Sequence, residues 1–167
     1  MLIETPRTRL REMTIADEAF ICELLNQPAF LRYIGDRHVR SVDDAATFIE
    51  TRYRQSYRDH GFGLYAVVRN GDNAQVGICG FVKRDEFELP DLGFAFLPEY
   101  ERNGYGFESA AAMMVYGGEK LKLPRVLAIT SLDNDVSRSL LEKLGFAFER
   151  IITTPAGEDL NLFEKPL

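Results

Sequence analysis

The segment Asp91-Leu92-Gly93-Phe94-Ala95-Phe96 has the character of a buried strand. It continues through Leu97-Pro98-Glu99-Tyr100 into Glu101-Arg102-Asn103-Gly104-Tyr105-Gly106, and a helical pattern follows. A turn between a strand and a helix N-terminus presents free backbone N–H groups, and the helix dipole favours an anion there. Glycine at 104 and 106 lets the backbone approach that anion closely. The pattern therefore predicts a diphosphate site at the start of the helix.

A second motif lies one strand further along the chain. It runs Asn134-Asp135-Val136-Ser137 and then Arg138-Ser139-Leu140-Leu141, and it ends in Glu142-Lys143-Leu144-Gly145-Phe146. The first motif alone is weak, because Gly-x-Gly is also common in ordinary turns. No Gly-Lys-Ser/Thr follows it, and Ser109 stands where a dinucleotide-binding turn has a further glycine. A triphosphate loop and a dinucleotide fold are thus both disfavoured.

Together the two motifs resemble those of the GCN5-related N-acetyltransferases (GNAT family). The Leu97–Tyr100 run and Glu108 further resemble the branch of ribosomal-protein-alanine acetyltransferases. Two positions depart from the family pattern. Glu101 stands where the family prefers Gln or Arg, and Leu141 stands where many members carry a Tyr thought to act as the general acid. The resemblance in element order covers essentially the whole chain, so residues 1–167 are expected to form one N-acetyltransferase domain.

The periodicity of apolar residues predicts the order β-α-α-β-β-β-α-β-α-β-β. The expected strands cover 8–13, 63–69, 75–83, 91–96, 125–130, 146–153 and 158–164, and the helices cover 15–26, 41–58, 104–121 and 136–144. Pro28 is expected to stop the first helix, and Gly61 to close the second. The resemblance implies an α/β fold with a mixed, mostly antiparallel twisted sheet of about seven strands. Helices are expected on both faces of the sheet, and the fourth and fifth strands should splay apart.

Composition limits the classes of function. The 167 residues are 46% hydrophobic and 28% charged, with a net charge of −6. Nucleic acid is not expected as a partner, because phosphate binding needs clustered Lys and Arg. The acidic charge favours a cationic or amine substrate through long-range steering. The N-terminus lacks a signal-peptide pattern, no apolar run is long enough for a membrane span, and no Cys/His set has zinc spacing. We therefore expect a cytoplasmic protein without a metal.

The resemblance implies that acetyl-CoA is the co-substrate and indicates which residues hold it. The splayed strand should offer its backbone to pantetheine, and one N–H group there should polarise the thioester carbonyl. The side chains of Phe94 and Phe96 are expected to pack in the core. Asn134 could bond a pantetheine amide or cap the next helix, with equal weight for the two roles. The full expected set is Phe94, Ala95, Phe96, Leu97, Arg102, Asn103, Gly104, Tyr105, Gly106, Phe107, Asn134 and Ser137.

The reaction needs a base and an acid. An alkyl ammonium with a pKa of about 10.4 must lose a proton before it attacks the thioester, and Asp91 is the expected base, with Glu86 and Glu88 as the other nearby carboxylates. Ser137 is the expected proton donor to the leaving thiolate, because Leu141 cannot donate. A solvated carboxylate and a capping serine are the ordinary alternatives for these two residues. Tyr33 and His38 are expected to contact the acceptor.

Three functions remain open from the sequence. The leading one is an N-acetyltransferase that acts on a small-molecule amine. The alternatives are a protein N-terminal acetyltransferase and an acyl-CoA-binding module without activity. The partner is accordingly an amine-bearing small molecule or a protein N-terminus, and a homodimer is left open.

Overall fold

The computed structural model describes residues 2–167, and its eight strands form one sheet in the order β1-β2-β3-β4-β5-β6-β8-β7. Every neighbouring pair is antiparallel except β5 and β6, which are parallel. The sheet is thus mixed and mostly antiparallel, as predicted. The strands are β1 Leu2–Glu4, β2 Thr8–Arg11, β3 Leu64–Arg69, β4 Gln75–Val82, β5 Asp91–Phe96, β6 Arg125–Ser131, β7 Ala147–Thr153 and β8 Asp159–Pro166.

Six α-helices accompany these strands within residues 2–167. They are α1 Glu18–Leu25, α2 Pro28–Tyr33, α3 Val42–Phe48, α4 Gln55–His60, α5 Tyr105–Glu119 and α6 Asp135–Lys143. A π-helical segment, Ile49–Arg54, joins α3 to α4 without a break. The long helix starts where Ser41 accepts a hydrogen bond from the Asp44 N–H at 3.0 Å, and it ends at Gly61 with φ 75°. Both boundaries agree with the sequence prediction.

Two apolar cores lie on opposite faces of the sheet, and β3 contributes to both. Tyr65 and Val67 belong to the core that contains α5 and α6, whereas Ala66 and Val68 belong to the core that contains α1 and α3. Successive side chains of a strand point to opposite faces, so a strand buried on both sides reads as a continuous apolar run. The predicted placement of helices on both faces is confirmed.

Two short elements were not predicted. Strand β1 pairs with β2 through Ile3 and Leu10, which makes the sheet one strand larger than expected. Helix α1 ends at Leu25, but Pro28 then starts α2 instead of leading into a loop. Proline is well suited to the first turn of a helix, since the N–H that it lacks has no helical partner there.

The splay between β5 and β6 is confirmed. The two strands share one register pair, Asp91 opposite Leu127, where the Leu127 N–H donates to the Pro90 carbonyl at 3.0 Å. We call this point the apex of the splay. Beyond it the two strands form no further pair within residues 2–167. This leaves a wedge of space between them, which is lined by residues 92–96 and 129–131 and by the start of α5. Within residues 2–167, no helix has the length and apolar character that a membrane crossing needs.

Candidate functional site

The wedge between the splayed strands belongs to a large open cleft with a volume of about 2220 Å³. The beginnings of α5 and α6 line the cleft together with β5. The segment Tyr33–His38, the loop after β4 and the β7–β8 turn line it as well. The fold thus brings both sequence motifs to one cavity.

The backbone groups of successive residues in β5 point alternately toward β4 and toward the cleft. The Leu97 N–H donates to the Val76 carbonyl at 3.0 Å, which directs the backbone groups of Leu97 toward β4. Because this direction alternates along a strand, Ala95 also faces β4, whereas Phe94 and Phe96 face the gap beside β6. Phe94, Ala95, Phe96 and Leu97 were predicted to offer their backbone groups to pantetheine. Of these four, Phe94 and Phe96 have the orientation for it. Their side chains pack partly buried against the core.

The start of α5 has free N–H groups. Gly104, with φ 82°, precedes the helix, and no side chain caps it. The first hydrogen bond of the helix runs from the Glu108 N–H to the Gly104 carbonyl at 3.1 Å. The N–H groups of Tyr105, Gly106 and Phe107 are therefore left for an external acceptor. This is the geometry predicted for a diphosphate site.

Arg7 and Glu108 brace this turn, and sequence reasoning assigned Arg7 no role. Arg7 donates from Nε to Glu108 Oε2 at 2.7 Å and from a terminal nitrogen to the Asn103 carbonyl at 2.8 Å. Its guanidinium also lies 4.6 Å from the centre of the Tyr105 ring. Burial raises the pKa of Glu108, but hydrogen bonds from Thr5 and Arg7 outweigh this and lower it overall. Glu108 therefore ties the β1–β2 turn to α5 as an ionised carboxylate.

Asn134 caps α6. Its side-chain oxygen accepts the Ser137 N–H at 3.2 Å, so the capping role is observed. Within residues 2–167 its amide nitrogen and the Ser137 hydroxyl have no hydrogen-bond partner, and both residues line the cleft. Leu141, one turn further along, is 1% exposed and packs in the core. A Ser137 hydroxyl at the cleft wall is thus available to a ligand, while Leu141 offers no polar group.

Asp91 lies at the apex of the splay and is 1% exposed. Its two carboxylate oxygens accept hydrogen bonds from Arg84 Nε and a terminal nitrogen at 2.8 and 3.3 Å. Burial raises the pKa of Asp91 and the positive charge of Arg84 lowers it, with a net upward direction. The other two carboxylates considered from the sequence, Glu86 and Glu88, are exposed, and of these only Glu86 lines the cleft.

Tyr33 and His38 both line the cleft. The Tyr33 carbonyl accepts the Ser131 hydroxyl at 2.9 Å, which fastens the end of α2 to the end of β6. The His38 side chain is 84% exposed, and its φ of 58° lies in the left-handed region. The structure thus brings both residues to the cavity.

Two further cleft residues, Arg37 and Tyr53, were given no functional role from the sequence. Tyr53 fits the apolar spacing of its helix, so the pattern indicated only a core residue. It is 6% exposed, yet it lines the cleft. The signal that could have singled it out is the hydroxyl, because a buried Tyr needs a hydrogen-bond partner.

Residues 7–147 match the family model described as the acetyltransferase (GNAT) domain. The chain belongs to the GNAT acetyltransferase family. Members of this family use acetyl-CoA, and the free N–H groups of α5 beside a splayed strand fit its diphosphate and pantetheine. Among curated proteins, this GNAT chain is 28% identical over 152 residues to YoaA, an uncharacterized N-acetyltransferase of Bacillus subtilis. The alignment covers 90% of this chain and 85% of YoaA.

Solved GNAT structures share the fold. A GNAT-family acetyltransferase from Bacillus anthracis aligns with a TM-score of 0.83 at 24% identity, covering 99% of this chain and 98% of that one. The ribosomal-protein-S5-alanine acetyltransferase of Vibrio fischeri aligns with a TM-score of 0.83 at 18% identity, covering 99% and 96%. The resemblance to the ribosomal-protein acetyltransferases therefore extends over the whole fold.

Proposed function

We propose that this acetyltransferase moves the acetyl group of acetyl-CoA to the primary amine of a small molecule, and that the amine attacks the thioester directly. The observation that carries the proposal is the open wedge between β5 and β6 with the free N–H groups of α5 at its wide end. The diphosphate binds at that end, the pantetheine arm lies along Phe94 and Phe96, and the thioester points toward the apex.

Residues of the cleft supply the proton transfers in this proposal. Asp91 accepts the proton of the substrate ammonium through an intervening water, because Arg84 already occupies its oxygens. Its raised pKa makes it a stronger base than an ordinary aspartate. A backbone N–H of Phe94 or Phe96 stabilises the oxyanion of the tetrahedral intermediate. When that intermediate collapses, the C–S bond breaks, Ser137 gives its proton to the thiolate, and solvent takes the remaining extra proton from the amide nitrogen. Solvent then reprotonates Ser137 and takes up the proton held by Asp91.

Three segments that line the cleft support a compact acceptor: Tyr33–His38, the loop after β4 and the β7–β8 turn. A second candidate acceptor, a protein N-terminus, is favoured by the fold shared with the ribosomal-protein-S5-alanine acetyltransferase. A protein chain needs a groove that stays open beyond the reacting amine, whereas a small molecule does not.

The test is thiol release from acetyl-CoA with two acceptor panels, small primary amines and peptides that begin with Ala or Ser. We expect the small amines to react with the larger kcat/KM. Faster reaction of the peptides would establish the second candidate, and no thiol release with either panel would leave only an acyl-CoA-binding module.

The role of Asp91 is tested by Asp91→Asn. We expect kcat to fall about 100-fold, within the usual range for general base catalysis. The decrease of kcat at low pH that protonation of Asp91 causes should also disappear. An Asp91→Asn protein that keeps the wild-type pH profile would show that Asp91 only positions Arg84. Acetyl-CoA affinity serves as the control, because the carboxylate is not expected to contact the cofactor.

A further inference from the structure

Some of the arginines that line the cleft have no carboxylate partner within residues 2–167. Most arginines within residues 2–167 form ion pairs with carboxylates, as Arg84 does with Asp91 and Arg40 with Asp36. Arg37 and Arg52 have no hydrogen bond or ion pair within that part of the chain, and both line the cleft. Two unpaired guanidinium groups in one cavity form a site of positive potential that a bound anion would neutralise.

The surroundings of Arg37 act against its charged form. The residue as a whole is exposed, but partial burial of its guanidinium lowers its pKa first, and the neighbouring charges of Arg84 and Arg52 lower it further. Asp36 is the nearby carboxylate that acts in the opposite direction, but its oxygens already accept hydrogen bonds from Arg40 at 2.9 and 2.5 Å. A guanidinium stays protonated in proteins. Arg37 is therefore a charged donor whose neighbouring carboxylate is already bound elsewhere.

Tyr53 is a second, independent observation at the same place. Its side chain is buried, and within residues 2–167 its hydroxyl has no hydrogen-bond partner. Within that part of the chain, Ser109 Oγ is the side-chain polar atom that is both fully enclosed and without a partner. The Tyr53 hydroxyl is therefore not fully enclosed, and Tyr53 lines the cleft. Burial raises the pKa of Tyr53 well above its ordinary value, so the hydroxyl keeps its proton and can donate it.

The backbone places Arg52 and Tyr53 in an unusual setting. Both lie in the π-helical segment Ile49–Arg54, within an otherwise continuous α-helix. Such segments often occur at functional sites, because the extra residue changes the direction of the side chains that follow it. Arg37, Arg52 and Phe48 line one smaller cavity, and the Phe48 ring centre lies 5.3 Å from that of Tyr53. Arg37 and Tyr53 therefore lie in the same part of the cleft.

We propose that the acceptor amine carries an oxyanion, a carboxylate or a phosphate, and that Arg37 and Tyr53 bind this group in the cleft. The proposal rests on the proposed transfer to a small amine. Arg37 supplies a charge-assisted pair of N–H donors and Tyr53 a neutral O–H donor. Arg84, held by Asp91, adds positive potential without leaving its partner. The anion subsite then fixes the acceptor so that its amine points at the thioester near Asp91.

The experiment uses matched probes with the coenzyme A-loaded protein. β-Alanine and γ-aminobutyrate are each compared with their primary amides, and phosphoethanolamine is compared with ethanolamine. Binding is measured by ligand-observed NMR and transfer by thiol release. At least one acidic probe is expected to bind about tenfold more tightly than its neutral partner, the range of a charged hydrogen bond. A preference for phosphoethanolamine alone would assign the subsite to phosphate, and a preference for the amino acids alone to carboxylate.

Arg37→Gln is expected to remove this preference and to leave the neutral probes unchanged. Tyr53→Phe keeps the ring and should weaken the acidic probes about threefold to tenfold, as expected for one neutral hydrogen bond. Arg150→Gln is the matched control, because Arg150 is an exposed arginine of β7 without an ion pair in residues 2–167 and lies outside the cleft.

Two outcomes overturn the anion subsite: neutral probes that bind as tightly as acidic ones, or Arg37→Gln weakening both kinds equally. These results leave the proposed function intact if thiol is still released with neutral amines. Conversely, acidic probes that bind through Arg37 while no amine of either kind releases thiol would overturn the proposed transfer and support the subsite. The two failures are therefore distinguishable.

Discussion

Strand β5 has two different sides. Toward β4 it is paired along its whole length, from Asp91 opposite Val82 to Phe96 opposite Gly77. Toward β6, within residues 2–167, it is paired only at Asp91. The first side uses its backbone hydrogen bonds for stability, whereas the second keeps donors and acceptors for a ligand. One strand can thus stabilise the fold on one side and offer free backbone groups to a ligand on the other, because its backbone groups alternate in direction.

Two buried aspartates repeat this contrast. Asp17 and Asp91 are 3% and 1% exposed, and an arginine binds each through two nitrogens. Burial raises the pKa of both. At Asp17, hydrogen bonds from Arg11, Thr14 and Gln75 outweigh burial and lower the pKa, whereas at Asp91 burial prevails. Asp17, which accepts hydrogen bonds from Arg11 of β2 and Gln75 of β4 in the paired region of the sheet, is a structural anion. Asp91, at the cleft, keeps the pKa of a better base.

The largest expected effect tests the paired region. Asp17→Ala leaves Arg11 without its partner and should lower the free energy of unfolding by about 3 kcal/mol or more, as is usual when one member of a buried pair is removed. The folded pKa of Asp17 lies below its ordinary value of 3.8, so its contribution is present above that pH and is lost as the pH falls through the folded pKa. Urea unfolding at pH 7 and pH 3 measures both effects.

Asp43→Ala is the control for this prediction, because Asp43 is an exposed acidic residue in the first turn of α3. It should cost less than about 1 kcal/mol. Acetyl-CoA affinity of folded Asp17→Ala should match the wild type. A large loss of affinity with little loss of stability would contradict the contrast between the two regions.

The next effect tests the cofactor end of the splayed region. Gly104→Val should weaken acetyl-CoA binding about 30-fold or more, because Gly104 has φ 82° and an added Cβ would lie 3.0 Å from Arg7. Arg102→Ala should change the affinity no more than about threefold, since an exposed charge contact contributes little. Isothermal titration calorimetry measures both, and equal, small losses would contradict a site built from backbone N–H groups.

A smaller effect is expected at Ser137. Ser137→Ala should lower kcat about tenfold and leave acetyl-CoA affinity within about twofold, because water replaces part of the proton donation. Ser139→Ala, in the same helix, is the control. The measurement is single-turnover thiol release, where chemistry limits the rate. A wild-type rate for Ser137→Ala would assign this serine only to the cap of α6.

The smallest effect is expected at Glu108, next to the free N–H groups. Glu108→Gln should lower stability by about 1 kcal/mol, since its partner Arg7 is almost half exposed and solvent screens the pair. The folded pKa of Glu108 is lowered, so the difference from wild type should shrink as the pH falls below its ordinary value of 4.5. Thermal unfolding across this range tests the prediction. A loss of kcat with unchanged stability would instead indicate a catalytic group.

Sequence reasoning predicted the elements whose signals are local. The boundary at Gly61, the paired strands β3 and β4, and the splay after Asp91 follow from turn residues, apolar runs and a family motif. Strand β1 was missed because three residues with one charge carry little periodic signal, and it forms only through its pairing with β2. Pro28 was interpreted as a stop signal although it also suits a helix start.

The candidate site was predictable where it depends on backbone. In the sequence, Gly104 predicts a turn and Asn134 predicts a helix start. The structure has both features at these positions. The partners of Asp91 and Glu108 were not predictable, because Arg84 and Arg7 reach them only in the folded chain. Arg37 and Tyr53 were missed for the opposite reason: their distinguishing feature is the lack of a partner, which is a property of the folded cavity.

The single pair between β5 and β6 also divides the sheet along the chain. Strands β1 to β5 lie in sequence order, and β6, β8 and β7 form the remainder, with α5 as the connection. The hairpin connections β1–β2, β3–β4 and β7–β8 are short, whereas β5 reaches β6 through the longer crossover that contains α5. During synthesis the first group emerges complete before β6 is made. The cleft is thus the seam between the two groups of strands.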